Sequence, residues 1–398
     1  MNSDSSFSSY WRFRIKHFSP AWFGMIMGTS ISGGILVNYP FPSFWLRGIG
    51  IAFWGTAVGL FLIYSLMTVL RLIMYPTEFR HSFLHPMQAM FWGCMPMGMC
   101  SIIATTIGIF GERAVWECYV MWWINLVLSI ISAYVIVFIG FVKHKRAQPA
   151  GLNAVILLPV VALVVCSTTG SIIIEHLPVN WRLHMIVVTA VVWGNGELLA
   201  FMFTTVYLWR LLRHNMPARE AMISCFLPVG PLGQGAYGFL VNAINAEDYL
   251  AIHGFELFKE LPVLRYIGSA VAMYMVGLAT FFLVCAVTMC IYFRPRVFGV
   301  AWWGLSFPMG TYALATRELG VVLEMEGFKV MSAIVGTAVA LVSFFLTFAT
   351  FYYAIVKDNA ISGLQAEMEM VFPPQLQDEE LKPALGICSR DESGDRKV

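Results

Sequence analysis

Ten stretches of mostly apolar residues alternate with short polar breaks along the chain, at 20–38, 48–70, 87–110, 116–142, 152–174, 183–209, 221–244, 263–292, 298–319 and 330–356. About 20 such residues, rising 1.5 Å each, cross a hydrocarbon layer of roughly 30 Å as a helix. The pattern therefore predicts an all-α integral membrane protein with ten transmembrane helices. The seventh stretch is the most polar, Gly-rich with Gln234 and Asn242 inside it, and the eighth is long enough to tilt. Three regions follow: an N-terminal segment over 1–19, a ten-helix membrane domain over 20–357, and a polar, Pro-containing tail over 358–398 whose composition predicts disorder.

Composition agrees with a lipid-facing surface. Only 12% of the 398 residues are charged and 59% are apolar, whereas a soluble domain carries about 25% charged residues. The formal net charge of +2 gives no sign of a nucleic-acid partner. The eight cysteines form no C-x-x-C pair, which points away from a disulfide framework or a zinc site. The first nineteen residues lack an apolar core of the kind a cleavable leader carries. Their basic and aromatic residues, Trp11 to Phe18, suit a cytoplasmic interfacial segment.

Basic residues set an orientation. One side of the predicted topology holds fourteen Lys and Arg before the tail is counted, among them Arg12, Arg14, Lys16, Arg71, Arg80, Lys143, Arg210 and Arg294. The opposite side holds seven, and its loops are acidic, with Glu112, Glu117, Glu175, Glu247 and Asp248. The richer side is expected in the cytoplasm, with both termini.

Proline placement adds an internal repeat. Pro20 opens the first span, and Pro96, Pro159, Pro228, Pro231 and Pro308 all fall in odd-numbered spans, while the even spans contain none. Three contexts rhyme: Pro96-Met97-Gly98, Pro228-Val229-Gly230 and Pro308-Met309-Gly310. A proline inside a helix removes a hydrogen bond and costs about 3 kcal/mol. In a membrane the freed carbonyl is tolerated where it faces protein or a wet cavity. The odd helices are thus expected to be kinked, inner and mutually parallel, and the even helices outer. Five parallel hairpins repeated about the membrane normal would surround a central pore in a quasi-fivefold arrangement; the other reading is that the kinks only aid packing. Gly28, Gly98, Gly230 and Gly310 are candidates for pore-lining backbone, since glycine leaves a passage without bulky walls; close helix packing is the competing use.

No Arg or Lys sits at mid-span. An anion path could instead draw on half-helix N-termini, whose free N–H groups carry a partial positive charge. Glu197, near the centre of the sixth span, costs roughly 2.5–3.5 kcal/mol on insertion scales if charged. It has two readings, proton coupling or a structural contact to a neighbour such as Asn195. Phe307, just before Pro308, is either a hydrophobic gate or ordinary packing. His81 and His85 form a lone H-x-x-x-H, too little for a metal oxidase built from several such boxes. No nucleophile, nucleotide or metalloprotease motif occurs, so neither catalytic residue, cofactor nor metal is expected. A receptor is disfavoured by ten spans and short external loops.

The segments His17-Phe18-Ser19-Pro20-Ala21-Trp22-Phe23, Trp92 to Gly98, Val192-Trp193-Gly194, Ser224 to Gly235 and Trp302 to Gly310 together resemble the tellurite-resistance/dicarboxylate transporter family over roughly residues 12–357. That family includes plant slow anion channels, fungal malate permeases and fungal sulfite efflux pumps, and the resemblance is greatest to the last. Many relatives read Gly-Thr-Gly where this chain has Gly28-Thr29-Ser30. The resemblance implies five hairpins around a pore lined by odd helices, a homotrimer, and a pore phenylalanine at Phe307, which favours the gate reading. The expected function is efflux of sulfite or hydrogensulfite across a fungal plasma membrane, with a C4-dicarboxylate permease as the rival. A dicarboxylate would favour fixed cations in the pore, and none sits at mid-span.

Overall fold

The computed structural model describes residues 11–143, 151–217, 219–294 and 298–352. The tail over 358–398 and the first ten residues lie outside the described residues. Within them the chain folds as helices: α1 (Phe23–Val37), α2 (Phe44–Met74), α3 (Pro76–Leu84), α4 (Pro86–Phe91), α5 (Cys94–Phe110), α6 (Val115–Ile130), α7 (Val137–Val142), α8 (Leu158–Ile174), α9 (Val179–His214), α10 (Val229–Ile252), α11 (Glu256–Glu260), α12 (Val263–Phe293), α13 (Ser306–Val322) and α14 (Glu326–Tyr352). A π-helical turn, Ile131–Ile136, joins α6 to α7 without a break. Seven helical stretches among the described residues are long and apolar enough to cross a membrane, and one of them, Pro86–Val142, is 57 residues long. The α10 and α13 helices are not among them. Both are enclosed by other helices, so their surfaces need not match lipid.

Burial alternates along the chain. The stretches Pro20–Val37 and Ala154–Ile174 are 94% and 89% buried, whereas Phe44–Met74, Val179–His214 and Glu326–Tyr352 are 22%, 22% and 28% buried. The outer helices instead expose large apolar side chains such as Leu62, Leu198, Ile291 and Phe345. Such side chains suit contact with lipid or with another apolar surface. The inner helices close on themselves: α1 packs on α5, α5 on α8, α8 on α10, α10 on α13 and α13 back on α1.

The prolines do not kink these helices. Each stands at or beside the start of its helix: Pro20 opens a 3-10 turn, Pro20–Trp22, that leads into α1, Pro159 lies in the first turn of α8, and Pro228 is the N-cap of α10. Pro96 and Pro308 are the third residues of α5 and α13. There the missing N–H would have had no partner within the helix anyway, so the penalty of an interior proline does not arise. Further 3-10 turns, Ala154–Leu157, Arg219–Phe226 and Val300–Gly304, lead into α8, α10 and α13. They also consume helix-start donors: Gly230 N–H donates to Leu227 O, and Leu305 N–H donates to Trp302 O. The expected free N–H groups at half-helix N-termini are therefore largely spent on the preceding turn.

Close helix crossings depend on glycine. A methyl group on Gly33 of α1 would come 2.9 Å from Gly50 O and 3.2 Å from Trp54 N in α2, both backbone atoms that cannot swing aside. Gly55, on the outer face of α2, meets nothing. Replacing Gly33 by leucine is expected to lower the thermal midpoint of the detergent-solubilised protein by several degrees, an overpacking cost of about 1–3 kcal/mol. The same change at Gly55 should leave it unmoved. Equal midpoints for the two variants would contradict the crossing geometry.

Candidate functional site, two vestibules that meet at Phe307

Each inner helix turns one face inward, and that face recurs every three or four residues as helical geometry requires. On α1 it runs through Gly24, Met27, Ile31, Gly34 and Asn38; on α5 through Cys94, Met97, Ser101, Ala104 and Gly108. On α8 it includes Leu158, Val161, Val165 and Thr169, and on α10 Gly230, Gln234, Tyr237 and Val241. These faces enclose two cavities stacked along the ring.

The first lies at the N-terminal ends of the inner helices, has a volume of about 170 Å³, and is lined by groups such as Ser19, Met87, Met97, Asn153, Ser224 and Trp303. Among the described residues that line it, none is charged. Arg71, buried at the end of α2, holds the entrance in place: its guanidinium donates to Phe18 O and, at 3.1 Å, to Glu78 O. The second cavity opens at the C-terminal ends and has a volume of about 500 Å³. Near its floor it is polar but uncharged, with Ser101, Thr105, Thr169 and Gln234. Its outer half carries Glu175, Asp248, Arg265, Arg317, Glu318 and Glu324. The cations there are paired: Arg317 Nη1 donates to Glu318 Oε2 at 2.7 Å, and Arg265 lies 3.3 Å from Glu247 and 3.2 Å from Asp248. Arg317 stands ten residues beyond Phe307 on α13, roughly 15 Å along the axis.

Phe307 lines both cavities, the residue they have in common, and it is 4% exposed. It sits in the first turn of α13, where the Val300–Gly304 turn and Pro308 fix its backbone.

The four candidate glycines divide. Gly230 lines the first vestibule. Gly28 faces Ser306 and Trp303, Gly98 faces Ile26, and Gly310 faces Ile31. These three make helix contacts rather than wall, because closing the ring demands near approach of α1, α5 and α13 at the level of the proline turns. Of the prolines, Pro308 lines the first vestibule, while Pro20, Pro96, Pro159 and Pro228 set helix starts around it.

Glu197 lies in neither vestibule. Its carboxyl is buried on α9, presses against Gly235 of α10, and neither oxygen has a hydrogen-bond partner among the described residues. Asn195 is not its partner, since its Nδ2 donates to Tyr134 Oη at 2.5 Å. His85 caps α4 by accepting from Gln88 N–H, and among the described residues no group of three or more His, Cys, Asp or Glu converges as a metal-ligand set.

A helical ring with lipid-facing apolar residues outside and vestibules entering from both ends defines a multi-pass membrane transport protein. The profile described as voltage-dependent anion channel matches residues 17–351, and the chain belongs to that family. It is similar to the sulfite efflux pump SSU1 of Arthroderma benhamiae, 30% identical over 84% of this chain and 90% of that protein. The sulfite efflux pump SSU1 of Arthroderma otae is 29% identical over 86% and 92%. A putative malic acid transport protein of Schizosaccharomyces pombe is 22% identical over 92% and 86%.

If the two cavities are separate aqueous spaces, single cysteines placed in them should react from opposite sides. In a background without reactive native thiols, Gln88→Cys is expected to be modified by a membrane-impermeant thiol reagent on one face of a vesicle and Ala104→Cys on the other. Modification of both from the same face would mean that the cavities communicate without a barrier.

Proposed function

We propose that this protein exports sulfite and hydrogensulfite across a fungal plasma membrane, through a central pore closed by Phe307. The observation that carries this reading is the position of Phe307, the side chain common to two vestibules that enter from opposite ends. A phenyl ring at a narrow junction excludes water, and an anion stripped of water faces a steep barrier until the ring moves. Among the described residues the narrow vestibule has no charged side chain, so an anion passing along them meets no fixed cation that would hold it. The names of the relatives point to the same substrate class.

The malate alternative is supported by one relative's name. It fits the pore less well: two carboxylates call for a pair of available cations, and the arginines of the wide vestibule are occupied by Glu318, Glu247 and Asp248. The excess of basic residues at the end carrying the narrow vestibule supports a cytoplasmic location for that end. A homotrimer is part of the same reading, on the family resemblance.

Phe307→Ala should raise anion leak from proteoliposomes by about tenfold or more, the effect of removing a barrier of at least 1.4 kcal/mol. Flux equal to wild type would remove Phe307 from the gate. Glu197→Gln keeps the shape of the side chain at a site away from both vestibules. It should leave the rate of sulfite flux and its pH dependence within about twofold of wild type, whereas loss of the pH dependence would assign Glu197 to proton coupling instead.

A further inference from the structure

The polar floor of the wide vestibule is less able to greet an anion than its composition suggests. A hydroxyl has one proton to give, and those around Phe307 have given theirs to the backbone. Ser101 donates to Met97 O at 2.9 Å. Thr105 donates to Ser101 O at 2.9 Å or Ser30 O at 3.1 Å. Thr169 donates to Val165 O at 2.9 Å or Cys100 O at 3.4 Å. What these groups turn to the vestibule is lone pairs, which repel an anion.

Gln234 is different. It is 6% exposed, lines the vestibule, and makes no side-chain hydrogen bond to the described chain. Its Oε1 is enclosed in the wall without a partner, which leaves the Nε2 end, with two N–H donors, to the vestibule. It stands one helical turn beyond Gly230, a residue of the other vestibule, and follows Gly233, which abuts Thr311 and Tyr312, so it lies about one turn beyond Phe307. Tyr237 follows three residues later on the same face of α10 and also lines the vestibule, and its hydroxyl makes no hydrogen bond to the described chain. Residues three apart on a helix are neighbours on its surface, about 5–6 Å between Cβ atoms. A nearly buried amide without a partner is costly to keep, and the phenol one turn on lines the same cavity, whose outer half also holds Glu318 and Glu175.

We propose that Gln234 and Tyr237 form an oxyanion-recognition site on the wide-vestibule side of Phe307, the amide N–H and phenol O–H donating to separate oxygens of a small oxyanion. This rests on the conduit proposed above. It adds a basis for selectivity: an oxyanion places its charge on directional oxygen acceptors that two fixed donors can match, and chloride, a sphere, gains less from that geometry. A dehydrated oxyanion leaving the ring of Phe307 would find its first replacement for water here.

The test is the ratio of sulfite to chloride efflux from proteoliposomes holding the full chain, with both anions measured on one preparation. Gln234→Leu is expected to lower that ratio about tenfold, the factor that one hydrogen bond to a charged acceptor commands. Tyr237→Phe, which removes only the hydroxyl, should lower it about threefold to tenfold by the same reasoning. A loss of folded protein would reduce both fluxes together and leave the ratio unchanged, so the ratio isolates recognition. Should Gln234→Leu fail to fold, Tyr237→Phe decides. Ratios equal to wild type in every variant that folds would overturn the site while leaving the conduit intact. The conduit itself fails on a separate result: Phe307→Ala liposomes that pass neither anion faster than wild type.

Discussion

A bilayer supplies no water to the peptide backbone, and every N–H and C=O inside it must find a partner in the protein. The inner helices meet this demand in an economical way. A 3-10 turn precedes most of them and accepts their first N–H groups, and proline stands where a donor would have been idle. The chain can then start a helix inside the protein instead of at its surface, and the space under that start becomes the narrow vestibule. Phe307 occupies its position because α13 begins there.

Ring closure is the second requirement, and it explains where glycine goes. Gly28 against Trp303 and Ser306, Gly98 against Ile26, and Gly310 against Ile31 all bring inner helices together at nearly the same depth. The pore wall itself is built mostly from ordinary side chains such as Met27, Met97, Val161 and Val165. The backbones therefore approach most closely near the depth at which Phe307 lines both cavities.

The inner and outer roles of the helices were legible in the proline positions, because a residue that removes a donor is tolerated only where the protein can compensate. The same residues misled on geometry: sequence spacing cannot distinguish a kink inside a long helix from the first turn of a shorter one led in by a 3-10 segment. The inward faces were also hidden. The α1 and α8 helices are apolar all round because they touch protein on nearly every side, so no periodic contrast marks the pore. Gln234 stood out as a polar residue in an apolar span, but its importance depends on which neighbouring hydroxyls have already committed their protons, and only tertiary contacts decide that. The contact imagined between Glu197 and Asn195 failed for a similar reason, since Tyr134, sixty-one positions away, takes the amide.

A gate at Phe307 between two water-filled vestibules, as proposed above, would also have an electrical meaning. A membrane potential falls mainly across regions that exclude water and ions, since an aqueous vestibule is nearly equipotential with the solution it joins. In that arrangement most of the field would be focused across the few ångströms occupied by Phe307. A unit charge crossing 100 mV gains or loses about 2.3 kcal/mol, and here nearly all of it would be exchanged in a single hop past one side chain. On the proposed gate, the size of that ring would set both how often an ion passes and how strongly voltage biases each passage.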